Sequence, residues 1–176
     1  MRLLFCCFLL LSSLVSCNLK DEGKEKVKTY FDLESFFKSE AKRLSAKNQM
    51  IDKTVIINGK AEHKKLTITN WEKEFSAFID ADINKASWKG SFASSNVNHT
   101  TIYTSNSAKI AVKKLEVTSE NGKILAIKIF VANINSLYTA KDSLSYYPDS
   151  LYEIKKVQHI KLMEEKKYEV IGKFKP

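Results

Sequence analysis

Three stretches of different character follow one another along the chain. Leu3 to Val15 is almost unbroken apolar sequence and Asn18 to Lys26 is polar and highly charged. From residue 27 apolar positions recur with helical or strand periods. Tyr30, Leu33, Phe37, Ala41 and Leu44 fall on one helical face, with Glu34, Lys38 and Lys42 off it, which predicts an amphipathic helix. Phe31 and Phe36 widen that stripe enough to pack on a sheet, and Thr29 with Asp32 three residues later resembles a capping pair. A hairpin is predicted next, with strands Thr54–Ile57 and Leu66–Thr69 flanking a polar stretch that contains Asn58-Gly59. A second helix is expected from Thr69 or Asn70. Thr69 and Glu72 fit a capping box there, and Trp71, Phe75, Ile79 and Ile83 share a face widened by Phe78.

From Trp88 onward the pattern is that of an antiparallel meander. Lys109–Ser119 and Lys123–Asn133 flank Glu120-Asn121-Gly122, read as a three-residue loop with glycine in the left-handed position. That register sets Val117 opposite Leu125 and Leu115 opposite Ile127, whereas a two-residue loop would set Glu116 against Ile127. Lys123–Asn133 is apolar on both faces apart from Lys128, the mark of an inner strand. Three more strands are expected near Leu137–Tyr146, Leu151–Leu162 and Lys167–Phe174. The last places Tyr168, Val170 and Phe174 on one face and Glu169 and Lys173 on the other. The expected fold is α+β: a mainly antiparallel curved sheet, hairpin plus long meander, with two amphipathic helices packed on one face. Residues 27–176 form one domain, with no internal repeat.

The N-terminal run has the order of a secretory signal, with Arg2 as the positive region before an apolar stretch. It is shorter than the about 20 residues a spanning helix needs. Leu14-Val15-Ser16-Cys17 resembles the bacterial lipobox. Small side chains fit the peptidase subsites, and only a thiol accepts diacylglyceryl as a thioether. The resemblance implies a signal peptide over 1–16, cleavage between Ser16 and Cys17, lipid on Cys17 and a polar tether over 17–26. Two or more acyl chains give stable anchoring where one is marginal. Asn18 is not the aspartate of inner-membrane retention, and Lys20-Asp21-Glu22 resembles the surface-export signal of Bacteroidota lipoproteins. That family resemblance covers Arg2 to Glu22 and implies an outer-membrane, surface-facing address, with the periplasmic face as the alternative.

Cysteine usage agrees with this reading. Cys6 and Cys7 leave with the signal and Cys17 is capped, so the mature domain relies on its core and not on disulfides. The full chain carries +9, and loss of Arg2 leaves 28 basic against 20 acidic side chains. Nearly all of that positive charge is lysine, with Arg43 the one arginine left. Nucleic-acid recognition favours arginine forks in a clustered stripe, so nucleic acid is discounted as a partner.

Asp80, Asp82 and Asn84 mimic the start of a calcium loop, but Lys85 replaces its glycine and Ser91 its glutamate, so they read as a helix end with exposed acids. His63, His99 and His159 lack the spacing of metal sites, and no nucleophile elbow or phosphate loop occurs. No catalytic residue, metal ligand or cofactor is assigned. Tyr138, Tyr146, Tyr147, Tyr152, Trp71 and Trp88 suit either a sugar-stacking surface or core packing. Asp142-Ser143-Leu144 and Asp149-Ser150-Leu151 resemble the Bacteroidota O-glycosylation sequence, making Ser143 and Ser150 candidate glycan sites. The leading expectation is a non-enzymatic envelope domain that binds a lipid, glycan or envelope-protein partner. An envelope hydrolase and a structural subunit of an outer-membrane complex are the alternatives. The order helix–hairpin–helix–meander is broadly similar to the half-barrels of lipoprotein-sorting carriers, a likeness of architecture alone.

Overall fold

The computed structural model describes residues 28–174, so the signal, Cys17 and Lys20-Asp21-Glu22 lie outside the described residues. Helix α1, Leu33–Lys47, buries Leu33, Phe37, Ala41 and Leu44, as its apolar spacing predicts. Asp32 caps it, accepting the Ser35 N–H at 3.0 Å, so Thr29 is not the cap. The aspartate reaches the free N–H of the third helical residue from its own capping position, which Thr29 is too far upstream to do. The helix ends at Asn48, whose φ of 45° is left-handed.

Strands β1 (Met50–Ile57) and β2 (Lys60–Thr67) form the expected hairpin, but β2 starts six residues before the apolar stretch that marked it. Asn58 and Gly59 both have positive φ, and this two-residue turn pairs Ile57 with Lys60 at once. Backbone hydrogen bonding then carries the strand through Glu62, His63, Lys64 and Lys65 on an edge where charged side chains stay in water.

The second helical stretch is not one helix. It splits into α2 (Trp71–Glu74) and α3 (Ser76–Asp80), broken at Phe75 with φ −90° and ψ 9°. Asn70, not Thr69, caps it, accepting the Lys73 N–H at 2.9 Å. The break turns Trp71, Phe75 and Phe78 inward together, and all three are fully buried.

After a short 3-10 turn at Ala86–Trp88, seven strands follow: β3 (Ala93–Val97), β4 (Thr100–Thr104), β5 (Val112–Glu120), β6 (Lys123–Ile134), β7 (Tyr138–Tyr147), β8 (Leu151–Ile160) and β9 (Lys166–Phe174). The result is one open antiparallel sheet of nine strands with few helices, ordered β2-β1-β9-β8-β7-β6-β5-β4-β3. Every neighbour is a sequence neighbour except β1 and β9, so the N-terminal hairpin docks on the last strand.

The β5–β6 register differs from expectation. The turn is Asn121-Gly122 alone, with Glu120 paired to Lys123 and both turn residues at positive φ. A one-residue slip would put the apolar set on the wrong face. A bulge between Thr118 and Ser119, which leaves Leu125 unpaired, corrects it and sets Val117 against Ile127 and Leu115 against Ile129. The favoured Asn-Gly turn and the buried apolar face are thus both kept.

One face of the sheet is buried. Ile51, Phe174, Tyr152, Ile154, Tyr146, Leu144, Ile127, Ile129, Leu115 and Val117 join α1, Trp71, Phe75 and Phe78 in a single core. Phe37 stacks on Phe78 with ring centroids 4.6 Å apart, and Tyr146 meets Phe37 edge-on at 5.2 Å. Gly172 lies under the Tyr152 ring: a Cβ there would sit 2.1 Å from the ring. Its lack of a side chain lets the aromatic lie flat on β9.

Candidate functional site

Two phenol–carboxylate–cation clusters occupy the boundary between helices and sheet. On β7, Tyr146 donates its hydroxyl hydrogen to Glu40 of α1 in a short hydrogen bond. Arg43 donates to both oxygens of Glu40, at 2.9 and 2.8 Å, and reaches Asp149 at 2.9 Å; Lys47 meets the same Asp149 oxygen at 2.8 Å. On β8, Tyr152 donates to Glu74 of α2 at 2.6 Å, and Lys53 of β1 donates to both Glu74 oxygens at 2.6 and 2.8 Å. Tyr146 and Tyr152 are direct cross-strand partners, so the clusters sit side by side.

Burial first, and then the adjoining carboxylates, push both phenols well above the usual tyrosine range. They stay protonated donors at neutral pH. Each carboxylate is held by a hydroxyl and a cation. The chemistry this arrangement performs is satisfaction of buried polar groups, pinning α1 and α2 to the sheet at defined positions.

Shallow hollows open around this core and on the sheet. A cleft of about 450 Å³ opens between α2 and the inner face of β1, β2 and β9, with Leu66, Ile68 and Val170 as its apolar wall and Lys53, Lys73 and Glu74 at its polar side. A hollow of about 350 Å³ lies beside Lys28, Tyr30, Lys85 and Lys89, and a dish of about 340 Å³ on the open sheet face holds Lys128, Phe130 and Ser143. Each is of small-ligand size and open to solvent.

Asp82 and Asn84 of the calcium-like triplet prove structural; Asp80 is exposed, as expected, but Asp82 is buried where an exposed acid was expected. Its carboxylate accepts the Leu33 N–H at 3.2 Å and the Asn84 N–H at 3.2 Å, with Lys28 at 3.7 Å. Asn84 in turn exchanges hydrogen bonds with the backbone of Tyr30 and Phe31. The group ties the start of α1 to the end of α3. Among the described residues no set of three His, Cys, Asp or Glu side chains converges on a metal position. His63 meets the Thr54 hydroxyl at 2.9 Å, and His99 and His159 are exposed.

Trp71, Tyr146 and Tyr152 are core residues, whereas Tyr138 is exposed and Tyr147 and Trp88 are half-buried. They do not form one sugar-stacking surface. Ser143 is exposed on the open face of β7. Ser150 is exposed in the β7–β8 turn, where its N–H donates to the Tyr147 carbonyl at 3.1 Å and its carbonyl accepts the Phe174 N–H at 2.9 Å. Both hydroxyls are accessible to modification, but they lie apart, one mid-strand and one at the sheet end. Sequence reasoning missed the clamps of Glu40 and Glu74. Their one local signal was Glu40 three residues before Arg43, an ordinary helix pair. No family model matches the chain, and no curated protein and no solved structure is significantly similar to it.

Proposed function

We propose that the chain is a lipid-anchored envelope lipoprotein, held on the outer membrane through Cys17 and facing outward, whose domain binds a ligand or partner without catalysis. The observation that carries this reading is Leu14-Val15-Ser16-Cys17 directly behind the apolar run from Leu3. Lys20-Asp21-Glu22 supports the outward address. Among the described residues no helix is long and apolar enough to cross a membrane. The filled aromatic core and open clefts favour surface binding over carriage of a cargo in an enclosed cavity. We read the helices as a layer on one face of a curved sheet, in the manner of the sorting-carrier half-barrels. Replacing Cys17 with serine should abolish lipid labelling in a native-like host and leave unprocessed precursor. A Cys17→Ser chain that is still labelled and still cut after Ser16 sinks the reading.

A structural subunit of an envelope complex is the second reading, favoured by edge strand β3. Ala93-Ser94-Ser95-Asn96-Val97 is exposed throughout and carries no charge or proline, while the opposite edge, β2, carries Lys60, Lys64 and Lys65. Uncharged edges accept a further strand and lysine-rich edges resist one.

A further inference from the structure

The β6–β7 turn, the β8–β9 turn and the β1–β2 turn all lie at one end of the sheet. The first two meet directly: the Lys161 N–H donates to the Leu137 carbonyl at 2.9 Å, and Tyr138 pairs with Ile160. Among the described residues, the three most exposed large apolar side chains lie at this end. Leu162 is 97% exposed, Ile134 70% and Leu137 69%, and Met163, Tyr138 and Ile160 add to the same patch. Leu162 also has a φ of 69°, a left-handed conformation that branched apolar residues seldom adopt, and it packs on nothing within the protein. Exposed apolar loops of this kind mark contact sites.

The rim is basic. Lys60, Lys141, Lys161, Lys166 and Lys167 are exposed around the patch, against Glu164 and Glu165, and Glu165 is already paired with Lys167 at 3.1 Å. The chain also enters the domain at this end. Tyr30 packs on Phe92 with ring centroids 5.5 Å apart and accepts its N–H at 3.3 Å; Phe92 leads into β3 where β4 leaves. Alternate strand directions place that point at the same end as the β6–β7 turn. Ten residues separate Lys28 from Cys17, at most about 35 Å of extended chain.

We infer that the loops 134–138 and 160–163 form a bilayer-contacting tip. Leu137, Leu162 and Met163 enter the headgroup region of an anionic membrane and the flanking lysines meet its phosphates. The inference rests on Cys17 as the anchor, because a short tether at this end makes the bilayer the nearest large apolar surface.

The test places an environment-sensitive fluorophore on Leu162→Cys in the full chain, expressed in a lipoprotein-processing host and reconstituted on phosphatidylcholine–phosphatidylglycerol vesicles. The mature chain has no other free thiol to compete once Cys17 is lipidated. Leu125→Cys, 47% exposed beside the β5–β6 turn at the opposite end, is the control. The label at 162 should shift to the blue and be quenched severalfold by spin-labelled lipid, the label at 125 should do neither, and Leu137→Asp should reduce both signals at 162. Flotation at high salt reports the anchor separately. Chains that float with water-like emission at 162 overturn the tip and leave the anchor standing, assigning the patch to a protein partner. Chains that fail to float yet shift on anionic vesicles at low salt overturn the anchor and leave the tip. Neither signal overturns both.

Discussion

Along β7, Leu144 and Tyr146 are buried while Ser143, between Asp142 and Leu144, is exposed; along β8, Tyr152 and Ile154 are buried while Lys155 is exposed. Alternate residues of the same strands therefore build two unlike surfaces. The covered face is aromatic, with each buried phenol bonded to a helix carboxylate. The open face carries ion pairs such as Glu153–Lys155–Glu169 and Lys114–Glu116, with Phe130 partly exposed among them. The contrast shows where stability resides. Burial of apolar area scales with the surface removed from water, whereas exposed ion pairs are screened and lose side-chain entropy when they form. Stability belongs to the face under the helices, and the open face supplies solubility and any contacts made there.

The sharpest way to break this comparison is Phe78→Ala. Phe78 is fully buried and touches Phe37, Phe75 and Tyr146, so the void should cost about 3–5 kcal/mol and lower Tm by many degrees in thermal denaturation. A change near zero would mean that Phe78 lines a cavity and not a filled core. The next largest effect concerns the phenols. Their folded pKa values lie above the ordinary value near 10, so their contribution is complete below about pH 10 and is lost as pH rises toward the folded values. Tm should fall above about pH 10. Tyr152→Phe should flatten that fall while costing about 1–2 kcal/mol at neutral pH, because the phenol–carboxylate hydrogen bond is gone. An unchanged alkaline slope in the variant would remove the clamp from the account. The smallest effect is expected on the open face. Lys155→Ala should change stability by no more than about 0.5 kcal/mol in chemical denaturation, and a larger loss would show that this face is more than a solvated surface.

Helix α1 was legible because its apolar residues repeat at helical spacing: Leu33, Phe37, Ala41 and Leu44 are buried as read, whereas Tyr30 lies ahead of the Asp32 cap and is half-buried. The long strands β7 to β9 were legible within one or two residues, since their alternation is strong and their turns are short. Strand β2 was not, because Lys60 to Lys65 carry no apolar pattern and are held only by backbone pairing. The candidate clamps were illegible for a different reason. Glu40 lies 106 residues from Tyr146 and Glu74 78 residues from Tyr152, so no local spacing announces either pair.

The sequence by itself determined the periodic elements, the Asn-Gly turns, the absence of cysteine after Cys17, and the lipobox-like Leu14-Val15-Ser16-Cys17 on which the proposed address rests. These are properties of neighbouring residues, decided by backbone sterics and by the spacing of apolar side chains. Only the tertiary structure decided that β1 pairs with β9, that the second helix breaks at Phe75, that a bulge at Leu125 restores the inward set, and that Asp82 is buried. Each of these settles a conflict between a local preference and a contact distant in sequence. The distant contact prevails because burying an aromatic cluster stabilises the fold by more than one strained turn or one broken helical step costs.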